Sequence, residues 1–134
     1  MRILLIQPDF LPGPVGFRLF AMTEPLALEV LAAAVPGHDV AILDMRIDTD
    51  LLAALERFAP EVVGVTALTT EVGEARKILQ TVKRHTPEVF TVTGGHHATL
   101  IPEDFYLPYV DAICLGEGEP VFAELIDSLN AGRD

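Results

Sequence analysis

The 134-residue sequence predicts an α/β fold in which a doubly wound parallel sheet carries helices on both faces. Three observations carry this expectation. Short apolar runs rich in Val and Ile alternate with segments whose apolar residues recur at helical spacing. The runs are near-continuous rather than alternating with polar residues, as strands covered on both faces are. Each interval between runs is long enough for the crossover that parallel neighbours need.

Taken in order, Arg2 to Gln7 (RILLIQ) reads as the first strand. Leu26, Val30, Leu31 and Ala34 share one helical face, and Pro36-Gly37 stops that helix. His38 is a turn residue leading into a second strand, Val40 to Leu43. Leu51, Leu52, Leu55 and Phe58 mark a second helix, with Thr49 placed as its cap and Pro60 beyond its end. Val62 to Thr66 follows as strand three. Val72, Ala75, Ile78, Leu79 and Val82 then mark a helix beginning near Glu71, with Thr70 read as its cap and His85 suited to its negative end. Phe90 to Thr93 is the fourth strand. After it, IPEDFYLPYV holds two prolines and predicts only a short helix. Ala112 to Leu115 is the fifth strand, and Val121, Phe122, Leu125, Ile126 and Leu129 line the last helix. Five such strands favour the flavodoxin-like, Rossmann-like order 2-1-3-4-5, with ligands outside the carboxyl ends of the strands where the order reverses.

Composition narrows the function classes. The chain is 50% hydrophobic with positive mean hydropathy, so one compact domain spanning residues 1–134 is expected. Twenty acidic against nine basic side chains give a net charge of −11, which repels a polyanion and argues against a nucleic-acid partner. No apolar run approaches the ~20 residues that span a bilayer, so no membrane partner is expected. Cys114 is the single cysteine and has no internal disulfide partner. With no signal peptide in view, a cytoplasmic setting is expected. MRILLIQ already reads as a strand and suggests a native start, whereas the polar end after PVFAELIDSLNAGRD suggests a cut at a domain boundary.

The topology directs attention to four loops. Pro8 to Glu24 far exceeds the usual ~2 to 6 residues and carries Phe10, Leu11, Val15, Phe17, Leu19, Phe20 and Met22, which need a cofactor, a partner or the domain itself to cover them. Thr66, Thr69 and Thr70 after strand three present hydroxyls for a ligand nitrogen or for capping. Gly94-Gly95 after strand four lacks side chains, leaving room for a bulky group against the backbone. Gly116-Glu117-Gly118-Glu119 leads into the last helix, where its carboxylates disfavour a phosphate. No GxGxxG follows strand one, so a dinucleotide is a poor fit. His96 and His97 are neighbours that point apart in extended chain and rarely chelate one ion. A metal there needs Asp9, Glu24 or Glu117 as well, so ligand contact or loop packing is the favoured role.

In combination, RILLIQPD, EPLALEVLAAAV, GHDVAILDMR, PEVVGVTALTTEV, TVTGGHHATLIPED and DAICLGEGEPVFAEL resemble the N-terminal cobalamin-binding domain of cobalamin-dependent radical SAM proteins, across essentially the whole chain. Thr66-Ala67-Leu68 resembles the family's SxL element with Thr for Ser, and Gly94-Gly95 its GG pair. The resemblance implies a cobalamin whose nucleotide tail lies between the loops after strands three and four. It implies cofactor contacts at Thr66, Leu68, Thr69, Gly94, Gly95, His97, Gly116, Glu117 and Gly118, with no catalytic residue and no protein metal ligand. The wider family's DxHxxG histidine is absent, since Asp9 is followed by no histidine before His38. The same resemblance implies a C-terminal radical SAM domain using S-adenosylmethionine and an iron-sulfur cluster, in a parent that is a methyltransferase or an oxidative cyclase such as the anaerobic magnesium-protoporphyrin ester cyclase. One cysteine does not supply CxxxCxxC, so the cluster belongs outside this chain.

Two other classes compete. A response-regulator receiver needs an acidic pair after strand one, Asp after strand three and Lys after strand five, where this chain has Gln7-Pro8-Asp9, Thr66 and Leu115-Gly116. It is rejected. A module that kept the fold, lost the cofactor and uses the apolar Pro8 to Glu24 loop for docking or homodimerisation remains the alternative.

Overall fold

The computed structural model describes residues 1–9 and 23–132. A five-stranded parallel sheet in the order β2-β1-β3-β4-β5 forms the centre. The strands are β1 (Arg2–Gln7), β2 (Asp39–Asp44), β3 (Val62–Thr66), β4 (Phe90–Gly94) and β5 (Ala112–Ile113). The helices are α1 (Leu26–Ala34), α2 (Leu51–Phe58), α3 (Val72–His85), α4 (His96–Leu100) and α5 (Gly118–Asn130). Short 3₁₀ turns at Thr69–Glu71 and Pro102–Phe105 complete the described elements. The predicted fold class and strand order are those observed.

Strand alternation divides the core in two. Leu4, Ile6, Val63 and Val65 face α2 and α3, where they pack with Leu51, Leu55, Ile78, Leu79, Val82 and Phe105. Ile3, Leu5, Val62 and Val92 face the other way, toward Leu28 of α1 and Phe122 and Ile126 of α5. Both faces of each central strand are buried, which is why the sequence shows unbroken apolar runs there.

Four local expectations are corrected. β5 stops at Ile113 rather than Leu115, because only Val92 and Thr93 of β4 pair with it and the chain then turns out toward Gly116. The cap of α2 is Asp50, not Thr49: its carboxylate accepts from the Ala53 N–H at 3.0 Å. Thr70 caps nothing, since the Glu71 carboxylate accepts from the Leu68 N–H at 3.0 Å and closes that turn. His96 and His97, read as extended chain, lie in α4. As expected, IPEDFYLPYV yields only a short 3₁₀ turn. No described helix is long and apolar enough to cross a membrane.

Asp50→Ala is expected to lower stability by about 1 kcal/mol, since it removes the side-chain acceptor at a helix N-terminus, while Thr49→Ala changes it little. Urea unfolding followed by circular dichroism measures both.

Candidate functional site

The carboxyl ends of the strands meet at one edge of the sheet, with β2 and β3 on opposite sides of β1. The apolar residues from Phe10 to Met22 in the loop after β1 lie outside the described residues.

β3 and β4 leave the sheet in register, with Thr66 opposite Gly94. They stay joined beyond it. The Ala67 N–H donates to the Gly94 carbonyl at 3.0 Å, and the His97 N–H donates to the Ala67 carbonyl at 3.1 Å. Gly95 sits at this crossing with φ +96°, and a Cβ there would lie 2.7 Å from Thr66 Oγ1 and 3.1 Å from Ala67 N and O. Gly95 is thus required by the protein's own backbone before any ligand, which corrects the expectation that its missing side chain simply leaves room. At Gly94 a Cβ would press on the Cys114 Cβ at 3.3 Å.

The room lies one layer deeper, beneath the mouth formed by Thr66, Gly94, Gly95 and Gly118. An apolar cleft runs between the sheet and helices α1 and α5, floored by Leu5, Gly64 and Val92 and walled by Leu28, Leu31 and Phe122. Its volume is about 50 Å³, several times the ~10 to 15 Å³ that one water molecule requires. Gly64 lets the Leu5 side chain lie close against the floor, because a Cβ there would lie 2.9 Å from Leu5 Cδ2. Cys114 lines the side, and burial pushes its thiol up. Gly64 was missed from sequence, although a lone glycine within VVGVT is the signal of a close approach in a strand.

The remaining predicted residues distribute around this mouth. The Thr66 hydroxyl makes no hydrogen bond among the described residues and stands free at the opening. Leu68 is 49% exposed on the rim. Exposed Thr69 meets His97 Nδ1 at 3.2 Å. His97 is 3% exposed, below the surface, with its Nε2 2.8 Å from Asp104 Oδ2. Gly116 takes φ +77° and donates its N–H to Thr99 Oγ1 at 3.0 Å, tying the loop after β5 to α4. Glu117 is exposed at the N-cap of α5, and Gly118 begins that helix with only the Leu31 side chain, 3.2 Å away, near its absent Cβ. Among the described residues no three His, Cys, Asp or Glu side chains are grouped to hold a metal ion.

Behind the loop after β3 sits a buried carboxylate. Glu71 is 1% exposed and accepts from Gln7 Nε2 and the Leu68 N–H, each at 3.0 Å. Burial holds its pKa above the ordinary value, while the Leu68 and Gln7 hydrogen bonds and the charge of Arg46 pull the other way. Arg46 itself is engaged by Asp44, whose pKa is lowered chiefly by that hydrogen bond. The pair fixes the end of β2.

Residues 15–126 match the B12 binding domain family. The chain belongs to that family. It is 36% identical, over its full length, to an uncharacterized methyltransferase of Pyrococcus horikoshii, of which it covers 30%. Over 88% of its length it is 31% identical to the hopanoid C-3 methylase of Methylococcus capsulatus, covering 25% of that protein. Over 99% it is 30% identical to the anaerobic magnesium-protoporphyrin IX monomethyl ester cyclase of Rubrivivax gelatinosus, again covering 25%. The chain therefore spans less than a third of the length of these relatives. Among solved structures, the RcsB response regulator of Salmonella typhimurium superposes with a TM-score of 0.67 over 100% of this chain and 61% of that one, at 15% identity. That likeness is one of fold alone.

Two predictions follow from the geometry of this B12-binding domain. Gly95→Ala is expected to cost roughly 1–3 kcal/mol of stability, through its positive φ and the Thr66 contact, as urea unfolding will register. Glu71, with a raised pKa, contributes stability that is fully present below its unfolded value near 4.5 and is lost as pH rises through the folded value. The stability of the protein relative to Glu71→Gln should accordingly fall as pH rises above that unfolded value; a difference that rises with pH would reverse the assignment.

Proposed function

We propose that this domain holds cobalamin at the carboxyl edge of the sheet, with the aromatic base of the nucleotide tail inserted into the cleft between the sheet and α1 and α5. The observation that carries this reading is the cleft itself. It is apolar, it opens between the loops after β3 and β4, and its floor includes a glycine against which Leu5 packs closely. A planar group entering edge-on is the shape such a slot accepts, and membership in the B12-binding family supports the same ligand.

Within this reading the chain's own residues have distinct tasks. Thr66 offers its uncommitted hydroxyl at the mouth to a heteroatom of the base. Leu28, Leu31 and Phe122 exclude water from the ring. Leu68, Leu100, Ile101 and Leu115 are exposed apolar side chains of the loops following β3, β4 and β5, and they form a rim suited to the corrin or to a neighbouring domain. When bound, the cofactor supplies a cobalt centre for group transfer. No histidine stands between Asp9 and His38, and His38 lies at the opposite end of the sheet against the Met1 amine, so no histidine of that stretch would hold the cofactor.

The parent is a longer protein in which a radical SAM domain, with S-adenosylmethionine and an iron-sulfur cluster, performs a methyl transfer or an oxidative cyclisation. The methyltransferase, methylase and cyclase names of the relatives, and the small share of each that this chain covers, support that setting.

Titration of the purified chain with hydroxocobalamin tests the reading. Retention of a red chromophore is expected, whereas a colourless protein that dimerises would favour the interaction module. Gly118→Leu should weaken binding at least roughly tenfold by filling the mouth, with circular dichroism unchanged, and Thr66→Val should weaken it by ~0.5–1.5 kcal/mol. His96→Ala should leave the cobalamin absorption spectrum unaltered; a shift typical of a lost imidazole would place the ligand on α4.

A further inference from the structure

A chain of four side chains runs from α3 to the rim of the site. Arg76 on α3 grips Asp104 twice: a guanidinium nitrogen lies 2.8 Å from Asp104 Oδ1, and Nε donates to the Asp104 carbonyl at 2.8 Å. Asp104 Oδ2 then meets His97 Nε2 at 2.8 Å, and His97 Nδ1 meets Thr69 Oγ1 at 3.2 Å. The Phe105 ring closes on the imidazole edge-on, 6.2 Å between centroids, and the ring is buried. Hydrogen bonding to His97 and the Arg76 charge keep the Asp104 carboxyl below its ordinary range, so it is ionised and accepts only.

With the imidazole in its neutral form, the direction of every hydrogen bond is set. A carboxylate has no proton to give, so His97 Nε2 carries the hydrogen, and in the neutral imidazole Nδ1 is left as an acceptor. In that form Thr69 donates its single hydroxyl proton inward to Nδ1. Its remaining lone pairs face the exposed rim, where they accept but have no proton to offer. An unconstrained threonine hydroxyl rotates to suit either a donor or an acceptor; this one is held to a single role.

We propose that the Arg76–Asp104–His97 chain fixes Thr69 as a hydrogen-bond acceptor, so that the rim reads N–H donors on its ligand, the carboxamide class, and disfavours a carboxylate in the same place. The proposal rests on the cobalamin reading above and assigns to Thr69 the recognition of a peripheral carboxamide of the corrin. His97, Asp104 and Arg76 are positioning residues that act through Thr69. None of them touches the ligand.

Two measurements decide it. Nitrogen-15 NMR of the imidazole in the ligand-free protein should show the proton of His97 on Nε2. Asp104→Asn should weaken that tautomer's dominance, because an amide is able to donate as well as accept. Equilibrium titrations should compare hydroxocobalamin with each of its separated monocarboxylates, in which one peripheral carboxamide has become an acid. The unaltered chain is expected to bind at least one monocarboxylate roughly two- to tenfold more weakly, the size of one hydrogen bond. Thr69→Val, an exposed change that leaves the core intact, should erase that preference, and Thr69→Ser should keep it. An Nδ1-protonated His97, or tight and equal binding of all the corrinoids, would overturn the proposal while leaving cobalamin binding standing. Failure of the unaltered chain to bind any corrinoid would overturn both together.

Discussion

The backbone crossing at Gly95 is the constraint on which the carboxyl edge depends. Because the chain turns there with positive φ, the exit of β4 passes within hydrogen-bond reach of Ala67, and α4 begins directly against the loop after β3. That contact brings His97 beneath Thr69 and sets Thr99 where it accepts from the Gly116 N–H. Three of the loops at this edge are thereby fixed by one residue with no side chain. A larger residue would have to push Thr66 or Ala67 aside, and the mouth of the cleft would move with them.

The two faces of the sheet use glycine differently. Toward α2 and α3 the strand residues Leu4, Ile6, Val63 and Val65 interlock with a continuous buried cluster. Toward α1 and α5 the same register places Gly64 among Leu5, Val92 and Phe122, and Leu5 packs over the position where its side chain would be. Native interiors are densely packed, and the cleft on this face lies beside that contact, open at the ligand edge. The fold is thus symmetric in topology and asymmetric in packing.

Fold and strand order were legible because the central strands are buried on both faces and the longer helices show their apolar stripes; Ile3 to Ile6 and Ile78 to Val82 leave little choice. The edge loops were legible as a place but not as a geometry. Gly95 looked like space for a ligand, since sequence does not reveal how near Thr66 comes. Gly64 was passed over because its signal, one glycine within an apolar strand, gains meaning only when Leu5 and Phe122 are seen around it. Asp104 lies seven residues beyond His97 and Thr69 lies twenty-eight before it, separations at which no local pattern announces a hydrogen bond. Thr49 and Asp50 are both good caps, and which one serves is decided by a single residue of register.

Commitment of the rim hydroxyls also bears on where affinity for the proposed ligand arises. Thr93 donates to the Val65 carbonyl, Thr99 joins two loops, and Thr69 is held against His97 Nδ1. Thr66 is left with a free hydroxyl at the cleft, and one hydrogen bond is worth ~0.5–1.5 kcal/mol. An aromatic group that buries ~150 Å² gains about 4 kcal/mol at ~25 cal/mol per Å², several times as much. In the proposed complex, apolar insertion would therefore supply most of the binding energy, and polar contacts at Thr66 and Thr69 would decide which way round the ligand sits.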